Sequence, residues 1–126
     1  SLINSQVSQY YNMIAKAEFD DAVRMYKSNE VILSLECCKK GIVNQVGALN
    51  ALHGYPNLKS KWITKIYLDN SAHGNLEFFE RYKNLIVFPN INPDNIEYFL
   101  EESILFYQNL HSEIAFKSWK RRFFKC

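Results

Sequence analysis

The sequence predicts an all-α protein, an up-and-down bundle of about four to five helices, three of them long and two short. Apolar residues recur every three or four positions through most of the 126 residues, and no stretch shows the alternation typical of a strand. With 48% hydrophobic and 22% charged residues, the chain can form a core and lacks the composition of a disordered protein. We therefore expect residues 1–126 to form a single helical-bundle domain.

The first two predicted helices are long and follow each other closely. The apolar stripe of the first covers residues 3–26, and that of the second covers residues 31–52. Ser28 or Asn29 is expected to cap the second helix, because short polar side chains accept hydrogen bonds from the free N–H groups at a helix start. The second helix carries the broadest apolar face, so we expect it to be the most buried element.

The middle of the chain combines two glycines with a short third helix. Gly41 and Gly47 interrupt the second helix, where the missing side chains would allow a neighbouring helix to approach closely. After a Gly-Tyr-Pro turn, a short helix is expected over residues 60–69. Ser60 would cap this helix, and Trp62 would help to pack it against the core.

The last part of the chain predicts a short fourth helix and a long fifth one. The fourth follows the apolar stripe over residues 76–86. Asn92 and Pro93 then form a strong helix start, with Asn as the N-cap and Pro at the first helical position. The final helix continues towards Trp119.

Cysteine usage and hydropathy indicate a cytoplasmic protein. Cys37 and Cys38 are adjacent and point about 100° apart on a helix, and Cys126 is at the end of the chain, so no disulfide framework is expected. No apolar run reaches the roughly 18 residues of a membrane span. The chain begins with Ser rather than Met, and we expect it to be the C-terminal part of a longer protein.

The residue types that commonly carry catalysis are scattered. His53, His73 and His111 lie in separate predicted elements without the spacing of metal ligands, so no metal site is predicted. The neighbouring carboxylates at 20–21 and 101–102 point apart on a helix surface. The cysteines within the second helix are expected to be inert small hydrophobes. We predict no catalytic residue in this chain.

Two other patterns suggest partner binding. A basic run mixed with aromatic residues could bind nucleic acid, but cations are common at helix ends and the net charge is only +2, so this partner is not expected. That run contains Lys117, Trp119, Lys120, Arg121, Arg122, Phe123, Phe124 and Lys125. Exposed aromatic residues would instead indicate a homodimer interface. The candidates for it are Phe78, Phe79, Phe88, Phe123 and Phe124.

The segment Ala48–Trp62 brings together the end of a buried helix, a tight turn, lysines and a tryptophan. The free N–H groups at Ser60, with Lys59 and Lys61, could together bind a phosphate. The alternative is an ordinary connection between helices, with Trp62 in the core and the lysines in solvent. The residues alone leave both interpretations open and favour the second.

At this segment the sequence resembles the helical C-terminal domain of bacterial nucleotidyltransferases of the kanamycin and lincosamide type, the nucleotidyltransferase substrate-binding domain. The resemblance covers roughly residues 16–110 and rests on an Ala-Leu-Asn helix end, a short turn and a Lys-Trp pair. It implies an accessory domain that packs against a catalytic domain and helps to bind ATP with Mg²⁺ and an acceptor substrate. By this analogy, Lys61 and Lys59 would approach the triphosphate, and Asn50 and Trp62 would shape the cleft.

The chain departs from that family in one respect that concerns catalysis. The family's catalytic half carries Gly-Ser followed by Asp-x-Asp, and neither motif occurs here. The same bundle is shared with the HEPN family, many of whose members are RNases that use Arg, four to six residues, then His. None of the four arginines is followed by His at that spacing. The alternative function is therefore a non-catalytic HEPN-like binding or dimerisation module.

Overall fold

The computed structural model describes the backbone of residues 1–124 and the side chains of residues 1–120. Five α-helices account for most of it, and no strand occurs within residues 1–124, which confirms the all-α prediction. The helices are α1 (Leu2–Lys27), α2 (Val31–Leu52), α3 (Ile63–Asp69), α4 (Leu76–Tyr82) and α5 (Ile96–Phe124). Short 3₁₀ turns cover Ser60–Trp62 and Ser71–Gly74, and a π turn at Lys83–Val87 extends α4.

A tight turn joins α1 to α2, and its residues differ from the predicted roles. Ser28 is the C-cap of α1, and its N–H donates to the carbonyl of Arg24 at 3.1 Å. Asn29 has a φ of 64°, a left-handed conformation that Asn tolerates. Glu30 is the N-cap of α2 and makes no capping hydrogen bond through its side chain. The predicted cap at Ser28 or Asn29 is wrong, because both residues are needed to reverse the chain.

The central element of the bundle is α2, which packs against α1, α3 and α5. It contributes more buried residues than any other helix in the described part of the chain, as predicted. A Cβ atom built on Gly41 would lie 3.3 Å from the ring of Tyr107. A Cβ atom on Gly47 would lie 3.0 Å from the ring of Tyr11 and 3.1 Å from Cδ1 of Ile63. The predicted close approach at both glycines is confirmed.

The start of α3 differs from the sequence prediction. Ser60 begins a 3₁₀ turn and makes no side-chain capping bond, and Trp62 is 41% exposed. Ile63 is buried, as its place in the apolar pattern predicts, Tyr67 is also buried, and Ile66 is half-buried. A 3₁₀ turn has three residues per turn, so it changes which side chain faces inward where the α-helix begins. The predictions of a Ser60 cap and of a core role for Trp62 are therefore wrong.

The helix α5 begins three residues later than predicted. The Asn92 side chain accepts hydrogen bonds from the N–H groups of Asp94 and Asn95, at 2.8 and 3.1 Å. The Asn95 side chain accepts one in return from the N–H of Asn92 at 2.8 Å. These bonds close a turn over residues 92–95, so Asn92 makes cap-like bonds to that turn and α5 starts only at Ile96.

The surface of the bundle carries several large apolar side chains. Among the predicted interface aromatics, Phe78 is buried and Phe88 is 76% exposed, while the side chains of Phe123 and Phe124 lie outside the described residues. Phe79 is half-buried, with the Lys83 ammonium 4.5 Å from its ring centroid. Within residues 1–124, no helix combines the length and hydropathy that a membrane span requires.

Replacing Gly47 with Ala should lower the free energy of unfolding by about 1–2 kcal/mol. A Cβ atom would crowd two groups at 3.0–3.1 Å, so the overpacking cost lies in the upper part of its usual range, at about 2–3 kcal/mol, and the better helix propensity of Ala recovers about 1 kcal/mol of it. Urea unfolding followed by circular dichroism measures the change. The penalty should shrink in a Tyr11→Leu background, because the crowded ring is then absent. A Gly47→Ala protein as stable as the wild type would contradict the close approach.

Candidate functional site

The segment that follows α2 forms a fixed loop on the surface. Gly54 has a φ of 94° and ends the helix. The Tyr11 hydroxyl on α1 donates to the carbonyl of Asn57 at 2.6 Å, and the Asn57 side chain accepts from the N–H of Lys59 at 2.7 Å. These two hydrogen bonds hold the backbone on which Lys59 and the following residues are presented.

Three of the four predicted site residues lie on the surface next to this loop. Lys59 and Lys61 are exposed, and the Lys61 ammonium lies 5.3 Å from the centroid of the Trp62 ring, within reach of a cation–π interaction. Neither lysine forms an ion pair with a carboxylate among the described side chains. We call Lys59, Lys61 and Trp62 the Lys-Trp surface.

The fourth predicted residue, Asn50, lies in the interior. It is 2% exposed, and its amide group donates to the carbonyl of Ile63 at 3.1 Å. Its side-chain oxygen lies 2.7 Å from Nε2 of His73. Asn50 therefore links α2 to α3 and to the turn that follows α3. The structure does not bring its side chain to the same surface as Lys61 and Trp62.

An apolar groove lies beside the Lys-Trp surface. Its lining residues come from α1 and from the loop after α2, and two of the apolar ones, Tyr10 and Leu58, are 48% and 67% exposed. Leu58 also lines the adjoining groove formed by the loop itself and by Ile66. We call this area the Leu58 face. It consists of Ile3, Gln6, Val7, Tyr10 and Leu58.

A second groove is lined in part by Ser60 and carries more positive than negative charge. We call it the lysine groove. It is lined by Glu36, Lys39, Lys40, Val43, Asn44, Ser60 and Ile86. No sequence pattern predicts this groove, because Lys39 and Lys40 precede Ser60 by about twenty positions and the spacing of residues along α2 does not indicate that they reach it.

A pair of stacked histidines lies beneath the loop. The rings of His53 and His73 are parallel, with centroids 4.1 Å apart. His73 belongs to a left-handed turn in which Ser71, Ala72 and His73 all have φ between 52° and 56°. Such conformations are unfavourable for residues other than Gly, so the surrounding packing has to hold them. No sequence pattern predicts this pairing, because the two residues lie in separate elements.

The electrostatic surroundings keep His73 neutral at pH 7. Burial, followed by the nearby His53 and Lys117, lowers the pKa of its imidazole to about 4. The Asn50 amide group faces the carbonyl of Ile63, so the Asn50 oxygen faces His73 and the proton of the imidazole lies on Nε2. Half-buried Glu113, on α5, has a raised pKa because of its burial.

The remaining candidate residues show no catalytic arrangement. Cys38 is fully buried, and burial raises the pKa of its thiol to about 12, as expected for an inert cysteine. His111 lies on α5, in a separate groove with the Lys16–Asp20 ion pair. Among the described residues, no three His, Cys, Asp or Glu side chains are placed to hold a metal ion.

The basic run near the C-terminus is only partly described. Lys117 lies 4.0 Å from Glu113, and Lys120 is exposed. Trp119 is 49% exposed, and its ring lies 6.4 Å from that of Phe116. The other members of the run lie outside the described side chains or outside the described residues. They are Arg121, Arg122, Phe123, Phe124 and Lys125.

Replacing Asn50 with Ala should lower the free energy of unfolding by about 1–3 kcal/mol, because the buried carbonyl of Ile63 and the half-buried His73 each lose a hydrogen bond. Asn44→Ala is the matched control, since the Asn44 amide donates only to the Lys40 carbonyl of its own helix and is reached by solvent. The control should change stability by less than about 0.5 kcal/mol. Equal effects of the two substitutions in urea unfolding would refute the linking role of Asn50.

The stability of the protein should fall as the pH is lowered from 6.5 to about 4 through the titration of His73. As the pH falls, the unfolded chain binds this proton before the folded chain does. The contribution of neutral His73 to the free energy of unfolding is therefore complete above pH 6.5 and is lost on acidification. The loss amounts to about 1–2 kcal/mol, because the ring is partly exposed. The His73→Gln protein keeps a hydrogen-bond donor for Asn50 and also keeps Glu113. Subtracting its pH dependence of stability from that of the wild type therefore separates the effect of His73 from that of Glu113. An NMR titration midpoint of His73 near 6.5 would contradict the prediction.

Similarity to known proteins gives no family assignment for this chain. It matches no protein-family model, and no curated protein or solved structure is significantly similar to it. The resemblance to nucleotidyltransferase substrate-binding domains therefore stays a prediction, and the function has to be inferred from the surfaces described above.

Proposed function

We propose that this chain is an accessory helical domain that binds a nucleotide and its acceptor substrate beside a nucleotidyltransferase catalytic domain that the chain does not contain. The observation that carries the proposal is the exposed pair Lys61 and Trp62. A cation and an aromatic ring in contact on the surface suit a ligand that combines phosphate with a planar base.

The position of Trp62 supports a binding role more than a structural one. Its ring is 41% exposed even though Ile63, the next residue, is fully packed. Tryptophan is enriched at binding surfaces, where a large ring can be covered by a ligand or partner. The hydrogen bond from Tyr11 to Asn57 fixes the preceding loop, so little order has to be gained when a ligand binds.

The Leu58 face supports the presence of a partner domain. It places exposed apolar side chains from α1 and the loop next to the Lys-Trp surface. Contiguous apolar area of this kind marks interaction sites, and ligand sites often lie where two domains meet. A catalytic domain that covers the Leu58 face would close a cleft over Lys61 and Trp62.

The side chains described here suit the nucleotide better than its metal ion. Lys59 and Lys61 supply positive charge for phosphate. Mg²⁺ prefers carboxylate and water oxygens, and none of the three residues of the Lys-Trp surface carries a carboxylate. In the proposed complex the catalytic domain therefore supplies the metal ligands, and this chain supplies lysine and aromatic contacts to the nucleotide and substrate.

A non-catalytic dimerisation module, HEPN-like in its bundle, is the second candidate. It is favoured by exposed apolar residues at the end of the α1–α2 hairpin, which are Val23, Tyr26, Ile32 and Leu33. A symmetric dimer could cover that end of the bundle. Sedimentation analysis distinguishes the candidates, because the dimerisation module requires self-association and the accessory domain does not.

Lys61→Ala should weaken the binding of ATP about 5- to 10-fold, a loss of about 1–1.4 kcal/mol, because the exposed ammonium group is removed from the phosphate and solvent screens part of its contribution. NMR titration of ATP and Mg²⁺ into the chain alone, and into the protein in its full natural length, measures this. Lys65→Ala is the matched control, because Lys65 is also exposed and lies 2.6 Å from Asp69. Binding that is absent in every form, or equally weakened by both substitutions, would contradict the proposal.

A further inference from the structure

We propose that the lysine groove binds the phosphate chain of the ligand. That the ligand is a nucleotide rests on the proposed function. The groove as a phosphate site rests on its own lining residues. It assigns the phosphate contact to Lys39 and Lys40 on α2, in addition to the predicted residues Lys59 and Lys61.

The groove is built from three parts of the chain. The helix α2 supplies the two lysines and Asn44, the 3₁₀ turn before α3 supplies Ser60, and the π turn after α4 supplies Ile86. Its volume is about 270 Å³, close to the lower end of ligand-binding pockets. The polar groups include two ammonium groups, an amide and a hydroxyl, all of which can donate hydrogen bonds. Such a set of donors suits an oxyanion.

The charge balance of the groove favours an anionic ligand. Glu36 is its only carboxylate among the described side chains, against two lysines. The Lys39 ammonium lies 4.0 Å from the Glu36 carboxylate, at the outer limit of an ion pair. Lys40 is exposed and forms no ion pair among the described residues. The positive charge is therefore only partly neutralised and remains available to a ligand.

The groove and the Lys-Trp surface are close enough to be bridged by one nucleotide. Ser60 lines the groove, and Trp62 follows two residues later. Consecutive Cα atoms are about 3.8 Å apart, so the Cα atoms of Ser60 and Trp62 are separated by less than about 8 Å. A ligand with its phosphates in the groove can thus extend its base and ribose towards Trp62. The phosphate would lie between α2 and the turn at Ser60.

Titrations with pyrophosphate, adenosine and ATP at constant ionic strength test the assignment by NMR. Lys40→Ala should weaken pyrophosphate binding at least 5-fold, and Glu36→Gln should strengthen it about 2- to 5-fold, because one removes a positive charge and the other a negative charge. Lys65→Ala should leave pyrophosphate binding unchanged, because Lys65 does not line the groove and is paired with Asp69. None of these side chains is buried, so all variants should fold.

The outcomes separate the groove from the proposed function. If neither Lys40→Ala nor Glu36→Gln changes the affinity for pyrophosphate, the assignment of the groove as the phosphate site is wrong. If ATP binding still depends on Lys61 in that case, the proposed function is not contradicted. Pyrophosphate binding with the predicted changes but without preference for ATP would support the groove and count against the nucleotide. Tighter binding of a short single-stranded RNA than of ATP would overturn the nucleotide as its ligand.

Discussion

The close contact of α1, α2 and α3 at Gly47 is the constraint on which the rest of the structure depends. Because Gly47 has no side chain, the ring of Tyr11 and the end of Ile63 both pack against the backbone of α2. The Tyr11 hydroxyl then reaches the carbonyl of Asn57 and holds the loop after α2. The absence of a side chain at Gly47 thus allows Tyr11 to reach the loop after α2, and Tyr11 in turn fixes the backbone that leads to Lys59.

The last turn of α2 also holds α3 and the turn at residues 71–73 in place. Asn50 is buried there and joins the carbonyl of Ile63 to the imidazole of His73. Three consecutive left-handed residues, each unfavourable by about 1–2 kcal/mol, are accepted in the turn at residues 71–73 because Ala72 is buried and His73 is bonded and stacked. The predicted site residue Asn50 therefore has a structural role: from the interior, it stabilises the turn at residues 71–73 through its hydrogen bond with His73.

Ser60 lines the lysine groove and directly follows Lys59 of the Lys-Trp surface, and the two proposed binding areas have different chemistry. The lysine groove is lined by charged and polar groups, and the Lys-Trp surface continues into the apolar Leu58 face. A ligand with a charged end and a planar end fits this arrangement, and a protein partner fits the apolar area beside it. Both areas depend on α3 starting with a 3₁₀ turn, because that turn leaves Trp62 on the surface and buries Ile63.

The local sequence predicts the helices, their order and the burial of α2, because the spacing of apolar residues is a local property that each helix repeats along its length. It also located the close approach at Gly41 and Gly47 and the loop that carries Lys59. Tertiary structure alone decided the exposure of Trp62, the interior place of Asn50, and the meeting of Lys39 and Lys40 with Ser60. It also decided the stacking of His53 on His73. These features depend on the angle at which distant segments pack, and no repeat in the sequence encodes that angle.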